Sequence, residues 1–241
     1  MKKRFLAGAL LAALLLALCV FALPAAYAAA EDAPGDLPEV DIHSWEFLLA
    51  NSYNSCGWWY QPEYASIEGQ GLDPRVAPHA RELIEAARDA GYECYLAMAF
   101  RNTDWIFNHY TWNLAAHGGD PIATVKDFLP LGANEHQTGL CVDLTDQKDH
   151  QLSYDEFEDP EIVESELYAW LLANAPDYGF ILRYPADKAY WYGVPCRHAH
   201  FRYVGVAAAK YITEHQLCLE EFISLYDPDA VYVPEHGRLS D

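Results

Sequence analysis

Residues 134–143 read NEHQTGLCVD, and the wider segment 131–146, LGANEHQTGLCVDLTD, changes from turn-forming residues to an alternating strand pattern. Gly139 lets the backbone turn tightly between these two parts. The turn carries His136 and the strand carries Asp143, seven positions apart. Imidazole and carboxylate are both zinc ligands, so the segment predicts part of a metal site.

A further histidine lies far downstream, in the aromatic and basic stretch HFRYVG at 200–205. A zinc site that activates water needs three histidine or carboxylate ligands, an open fourth position and a base beside it. His136, Asp143 and His200 form one such set. A single histidine is most often a hydrogen-bonded surface or core residue, so the prediction depends on the three together.

Helical and strand patterns flank this segment on both sides. Helices are predicted at residues 73–90, Thr103–Ala116, 159–174 and from 206 onward, and strands at 94–100, within 131–146, at 179–184 and at 198–204. In the first helix, Asp73 is expected to cap, Pro74 suits the first turn and Gly91 ends the helix. The second helix is expected to bury Ile106, Phe107, Tyr110 and Leu114. This mixed order indicates an α+β fold, a single domain with packed helices on a central, mostly antiparallel sheet.

The first 30 residues have the layout of a secretory signal peptide. Lys2, Lys3 and Arg4 precede an apolar run at 5–23, and small residues follow up to Ala30. We expect export to the extracellular space or the cell envelope, with an uncleaved leader acting as an anchor in the alternative case. Residues 31–44 are expected to be an acidic, proline-containing linker, and residues 45–241 the folded domain.

The chain has 36 acidic and 15 basic residues, a formal net charge of −21. Nucleic acid and anionic membrane surfaces would repel such a chain, so neither is expected as a partner. No transmembrane helix is expected once the leader is removed. The simple interpretation of the charge is solubility.

Five cysteines follow the leader: Cys56, Cys94, Cys141, Cys196 and Cys218. An odd number in an oxidising compartment allows at most two disulfides. None of them has the close Cys-x-x-Cys spacing of a structural zinc site. The pattern therefore favours disulfides.

The motif NEHQTGLCVDL resembles S-x-H-x-x-G-x-A-x-D, and HFRYVG resembles the closing strand, of the VanY-type zinc D-alanyl-D-alanine carboxypeptidases. The resemblance extends from about residue 48 to residue 211 and includes GLDPRVAPHARELIEAARDAGYE, the AFRN turn and YGFILRYPADK. It implies a fold like that of the D-Ala-D-Ala metallopeptidases. It also implies Zn²⁺ as cofactor and, as partner, a peptidoglycan stem peptide ending in D-Ala.

The resemblance assigns roles to individual positions. His136, Asp143 and His200 stand at the family's three zinc-ligand positions. Arg101 matches the arginine of the S-G-Y-R-S segment, which implies pairing with the free carboxylate of the substrate; guanidinium suits that role because it binds carboxylates bidentately and keeps its charge. Asn134 stands at the serine position on the substrate side.

The catalytic glutamate of the family is missing from the matching position. The family has E-x-W-H where this chain has Arg197-His198-Ala199-His200. Arginine cannot act as a base at ordinary pH. In a regular strand His198 would share a face with His200, which makes it a candidate substitute base; the alternatives are an extra metal ligand or a solvent-exposed side chain.

Two cysteines fall at family positions near the metal. Cys141 takes the place of the motif alanine, and Cys196 directly precedes the glutamate position. Since both segments converge on one metal, a Cys141–Cys196 disulfide is expected. The alternatives are buried thiols or metal ligation.

Two functional hypotheses follow from these observations. The first is a zinc D-alanyl-D-alanine carboxypeptidase that acts on peptidoglycan stem peptides although Arg197 replaces the usual glutamate. The second is a catalytically inactive, zinc-containing protein of the same fold that binds cell-wall peptides, because a second cation would favour an anionic peptide end. A module that does not use zinc would have little reason to keep His136, Asp143 and His200.

Overall fold

Two antiparallel sheets organise the chain in the computed structural model, which describes residues 36–148 and 165–234. The described strands are β1 (Ala65–Ile67), β2 (Gln70–Leu72), β3 (Tyr95–Met98), β4 (Cys141–Thr145), β5 (Phe180–Leu182) and β6 (His200–Tyr203). β1 pairs with β2, and the other four form the main sheet in the order β3-β4-β6-β5. Every neighbouring pair is antiparallel, which confirms the predicted α+β fold with an antiparallel central sheet.

Seven α-helices pack around these strands in the described part of the chain. They are α1 (Ala77–Asp89), α2 (Thr103–Ala116), α3 (Pro121–Asp127), α4 (Glu166–Asn174), α5 (Ala189–Tyr192), α6 (Val206–Glu214) and α7 (Leu219–Tyr226). Short 3-10 turns occur at Trp45–Phe47, Glu135–Thr138, Ala175–Tyr178, Ala186–Lys188 and Pro228–Ala230. None of the described helices is long and apolar enough to cross a membrane.

Helix α1 begins later than predicted. Asp73 heads the turn before the helix, in which the Ala77 N–H donates to the Asp73 carbonyl at 3.0 Å. The Asp73 carboxylate caps this turn by accepting from the Arg75 backbone N–H at 2.9 Å, and it also binds the Arg75 guanidinium. The expected apolar face is buried, and Leu83 at its centre is fully enclosed. Burial of one such leucine stabilises the fold by roughly 1.5–3 kcal/mol.

Helix α2 has the expected bounds but not the expected inward face. Ile106 is fully buried, whereas Phe107 is 56% exposed and Tyr110 and Leu114 are half-buried. The helix therefore rests on the domain along a narrower stripe than its apolar composition suggests.

Two apolar clusters form most of the core. One joins α1 and α4 to side chains of β3, β4 and β6, and the other joins α6 and α7 to residues near Phe47 and to Ile181. Between them the antiparallel register sets Asp143 of β4 opposite both His200 of β6 and Met98 of β3. The central strands thus bring residues far apart in sequence to one point.

Some predicted segments lie outside the described residues. They include the leader at 1–30, the first part of the linker and residues 149–164, where the predicted start of the helix ending at Asn174 falls. In the described chain this helix starts at Glu166, capped by the Ser165 side chain. Helix α7 follows α6 and was not predicted.

Candidate metal centre

His136 is held by the turn Glu135–Thr138, which directly precedes β4. The Asn134 side-chain oxygen accepts a hydrogen bond from the His136 backbone N–H at 3.1 Å. Gly139 ends the turn with a φ of 72°, and a Cβ there would lie 3.1 Å from the Asp73 nitrogen. The His136 Nδ1 lies 2.8 Å from the carbonyl of Ala99. A carbonyl can only accept, so Nδ1 carries a hydrogen and the neutral ring presents its lone pair at Nε2.

Asp143 brings a fully buried carboxylate to the same point. Its Oδ1 lies 2.7 Å from His200 Nδ1, and its Oδ2 lies 3.2 Å from His136 Nε2. Among the described residues, Oδ2 is a buried side-chain oxygen with no hydrogen-bond partner. Burying a charged oxygen without a hydrogen bond is costly, and a cation between it and the imidazole would remove that cost.

His200 is oriented from its other side by Glu135. The ring Nε2 lies 2.9 Å from Glu135 Oε2. An ionised carboxylate can only accept, so Nε2 carries the hydrogen and Nδ1 turns its lone pair toward Asp143. Such a carboxylate–histidine pair is the usual support of a metal-binding histidine.

A buried network of charges holds Glu135 in place. Arg183 Nε and Arg202 Nη1 donate to Glu135 Oε1 at 2.6 and 2.7 Å, and Arg183 also pairs with Glu220. All four side chains are fully buried. Burial alone would raise the pKa of Glu135, but the two guanidinium groups outweigh it and hold that pKa well below its usual range.

None of the residues of this network was predicted from the sequence. A signal was present, because FILR and HFRY each place an arginine in an otherwise apolar or aromatic strand. A buried arginine requires an acidic partner, so Arg183 and Arg202 pointed to buried carboxylates such as Glu135 and Glu220.

The charges of the cluster are strongly coupled. Burial alone would lower the pKa of His136, but Cys141 and Asp143 outweigh it and raise the pKa to about 9. The same balance raises the pKa of His200 well above its usual value. Burial would raise the pKa of the Cys141 thiol, yet the two histidines lower it. Without a cation, His136 and His200 therefore tend to be protonated, and a bound cation would displace these protons.

The residues fit zinc. His136 Nε2, His200 Nδ1 and the Asp143 carboxylate are two neutral imidazoles and one anion, as in a catalytic zinc site with an open position. Cys141 lies beside them, with Sγ 3.5 Å from His136 Nδ1. His136, Cys141 and His200 each offer a ligand atom, and these three atoms lie within 4.8 Å of one another. His136 and His200 therefore belong both to the set completed by Asp143 and to the set completed by Cys141.

Arg197 and His198 lie in the segment that leads into β6. One Arg197 Nη donates to the carbonyl of Asp127 at 3.1 Å. His198 lies in a turn, because β6 begins at His200, so the assumption that His198 and His200 share one strand face is wrong. The His198 Nδ1 lies 3.2 Å from the Tyr168 hydroxyl and 3.5 Å from Cys196 Sγ.

The predicted Cys141–Cys196 disulfide is not formed in the structure. None of the five cysteines in the described residues forms a disulfide. Cys141 contacts His136, and Cys196 contacts His198 on the neighbouring segment. The two segments do converge, but each thiol lies against its own histidine.

Arg101 is joined to the candidate metal centre by a backbone hydrogen bond. Its N–H donates to the His136 carbonyl at 3.0 Å. Its guanidinium donates to Gln70 Oε1 at 2.7 Å and lies over the Trp105 ring, 5.1 Å from the centroid. Asn134, the other predicted substrate-side residue, is 5% exposed and also donates to the Leu129 carbonyl.

Comparison with solved structures shows that this α+β fold is that of the D-Ala-D-Ala metallopeptidases. The family model of VanY, D-alanyl-D-alanine carboxypeptidase, matches residues 69–206, and the chain belongs to this family.

Two curated relatives carry the same kind of description. A D-alanyl-D-alanine carboxypeptidase of Enterococcus faecalis is 31% identical over 192 residues, which cover 76% of this chain and 68% of the relative. The bifunctional D-Ala-D-Ala dipeptidase and carboxypeptidase VanXYC of Enterococcus gallinarum is 33% identical over 154 residues, 63% of this chain and 76% of that protein.

Two solved structures are also similar to this chain. A variant of the vancomycin-resistance D,D-pentapeptidase VanY in complex with Zn(II) aligns with a TM-score of 0.62 and 30% identity, covering 75% of this chain and 99% of that one. The LD-carboxypeptidase LdcB aligns with a TM-score of 0.63 and 26% identity, covering 78% and 93%.

Proposed function

We propose that this protein is a zinc-dependent D-alanyl-D-alanine carboxypeptidase that acts on peptidoglycan stem peptides ending in D-Ala. The observation that carries the proposal is the buried Asp143 carboxylate, which contacts both imidazoles and whose Oδ2 has no hydrogen-bond partner among the described residues. Membership of the VanY family and the Zn(II) complex of a similar structure support it.

His136, Asp143 and His200 would hold the metal. Zinc, when bound, supplies a Lewis acid that polarises a peptide carbonyl and activates water. The chain contributes the orientation of the ligands. The Ala99 carbonyl fixes the His136 ring, and Glu135 fixes the His200 ring, so the nitrogen of each ring that would bind the metal is oriented before any metal arrives.

Arg101 would bind the free carboxylate at the end of the peptide. Its hydrogen bond to Gln70 and its position over Trp105 restrict the guanidinium, which reduces the entropy lost on binding. The backbone bond to His136 sets the spacing between carboxylate recognition and the metal ligands. A fixed spacing of this kind suits removal of a terminal residue.

Proton transfer is the step for which the chain departs from its family. Arg197 stands at the glutamate position, and a guanidinium cannot take a proton. We assign His198 as the candidate base, since it is a titratable group two residues from the ligand His200. To serve, its ring would have to leave the Tyr168 hydroxyl and turn toward the metal.

The second candidate function is peptide binding without turnover. It is favoured by one observation, the fixed positive charge of Arg197 where a base is needed. Together with Arg101, a second guanidinium would attract an anionic peptide end. Both functions use the same zinc ligands and the same peptide class.

The test measures D-alanine released from an N-acetylated peptide ending in D-Ala-D-Ala by purified, zinc-loaded protein. The carboxypeptidase proposal expects release that a chelator stops and that His136→Ala lacks, with no release from the matched peptide ending in L-Ala. Absence of release from protein shown to hold zinc, combined with calorimetric binding of the same peptide, would replace the first function by the second.

A further inference from the structure

Cys141 faces the proposed metal site, not the apolar core. It is two residues from Asp143 on β4, so the two side chains point to the same side of the strand. The side chain is fully buried, and its Sγ lies 3.5 Å from His136 Nδ1.

Two other buried cysteines provide a comparison. Cys94 and Cys218 lie within apolar clusters of the core. Cys141 instead offers its sulfur within 4.8 Å of a ring nitrogen of His136 and of a ring nitrogen of His200. A thiol that served merely as a small apolar side chain would be expected among groups like those around Cys94.

We infer that Cys141 is a fourth protein ligand of the metal, coordinating through its thiolate alongside His136, Asp143 and His200. The inference rests on the metal site of the proposed function and adds to it a ligand that the alanine of the family motif cannot supply. A cysteine can bind the metal in this way only when it is not in a disulfide, and Cys141 forms none.

The added ligand changes the chemistry of the site. A thiolate is a soft ligand that favours zinc over magnesium, calcium or manganese. Four protein ligands are typical of zinc sites that retain their metal, whereas three leave a position for water. Zinc can still expand to five ligands when a peptide carbonyl approaches, so Cys141 would strengthen metal retention and reduce the Lewis acidity available for hydrolysis. That agrees with a site in which arginine has replaced the catalytic glutamate.

Cobalt(II) provides the direct probe, because a thiolate bound to cobalt produces a charge-transfer absorption in the near ultraviolet that nitrogen and oxygen ligands do not. The full chain, freed of metal and loaded with cobalt(II), should show this band. Cys141→Ala and Cys141→Ser should lose it while still binding cobalt, and the matched control Cys94→Ala should keep it.

Zinc affinity, measured by competition with a chromophoric chelator, is the second readout. Loss of an outer partner of a ligand typically weakens metal binding by about 10–100-fold, and loss of a direct ligand should cost at least as much. We therefore expect the zinc Kd of Cys141→Ala to rise by about tenfold or more, with Cys94→Ala unchanged.

The outcomes separate this inference from the proposed function. Cobalt bound without a charge-transfer band, or a band that survives in both Cys141 variants, overturns the role of Cys141 and leaves the three-ligand site standing. Failure of the wild-type protein to bind cobalt or zinc overturns both. Far-ultraviolet circular dichroism of each variant shows that it is folded, and the serine variant, which matches the shape of cysteine, guards against a packing defect in the alanine variant.

Discussion

Glu135 Oε2 lies 2.9 Å from His200 Nε2, so a carboxylate held by two buried arginines determines which nitrogen of a predicted metal ligand is free. We predict that Glu135→Gln weakens zinc binding by about 10–100-fold, because the ring loses its charged partner. The same change leaves Arg183 and Arg202 short of an anion and should lower the free energy of unfolding by about 3–5 kcal/mol. Chelator competition and urea unfolding measure the two effects.

A surface ion pair provides the control for Glu135. Asp177 lies 2.7 Å from Lys210, and both side chains are more than half exposed. Asp177→Asn should change the free energy of unfolding by less than about 1 kcal/mol and leave the zinc affinity as it is. Unchanged zinc affinity in Glu135→Gln would show that His200 does not depend on this carboxylate.

Arg197→Glu would place a carboxylate at the position that the motif resemblance assigns to the family's catalytic glutamate. A correctly placed general base typically contributes about 10²–10⁴-fold to a rate, so D-alanine release should rise by a factor in that range. Arg197→Gln is the matched control, since it removes the positive charge and the bond to the Asp127 carbonyl without adding a base. Equal rates in the two variants would mean that the charge of Arg197, and not the missing base, limits turnover.

Arg101 should act on the peptide carboxylate and not on the metal. Arg101→Ala is expected to weaken binding of a D-Ala-D-Ala peptide by about 30-fold or more, as when one partner of a buried charge pair is lost. The C-terminal amide of the same peptide should bind the wild-type protein and the variant equally weakly. Arg81→Ala, on the exposed side of α1, is the control. A similar loss for both peptides would assign Arg101 a structural role.

Much of the sheet could be predicted because its strands carry local signals. The alternating pattern at 140–145, the glycine before it and the histidine strand at 200–203 each have a physical reason that one segment contains. The face of α2 could not be predicted in the same way, since burial of Ile106 and exposure of Phe107 depend on what the helix packs against.

The site residues likewise include some that local sequence patterns predict and some that depend on contacts between distant segments. The proposed ligands His136, Asp143 and His200 belong to recognisable motifs, and the register of β4 and β6 brings Asp143 opposite His200. The buried pairing of Glu135 with Arg183 joins residues 48 positions apart, which no local pattern encodes. The orientation of His198 was misjudged because the strand begins two residues later than its sequence suggests.

Zinc binding should depend on pH through His136. Burial lowers the pKa of this imidazole, but Cys141 and Asp143 outweigh it and raise the pKa to about 9, above the ordinary value of 6.5. In the metal-free protein, the stability that this proton contributes is fully present below about pH 6.5 and is lost as the pH rises through about 9. Zinc requires the neutral ring, so it must displace the proton, and its apparent affinity should rise by about tenfold per pH unit over the same interval.

Urea unfolding with zinc and with chelator tests this linkage across that interval. The difference in the free energy of unfolding between the two conditions should widen as the pH rises, because the metal-free protein loses stability while zinc binds more tightly. His79→Gln, a partly exposed histidine on α1, should leave the slope unchanged. A difference that stays constant would mean that zinc does not displace a proton from His136, and would remove that ring from the metal site.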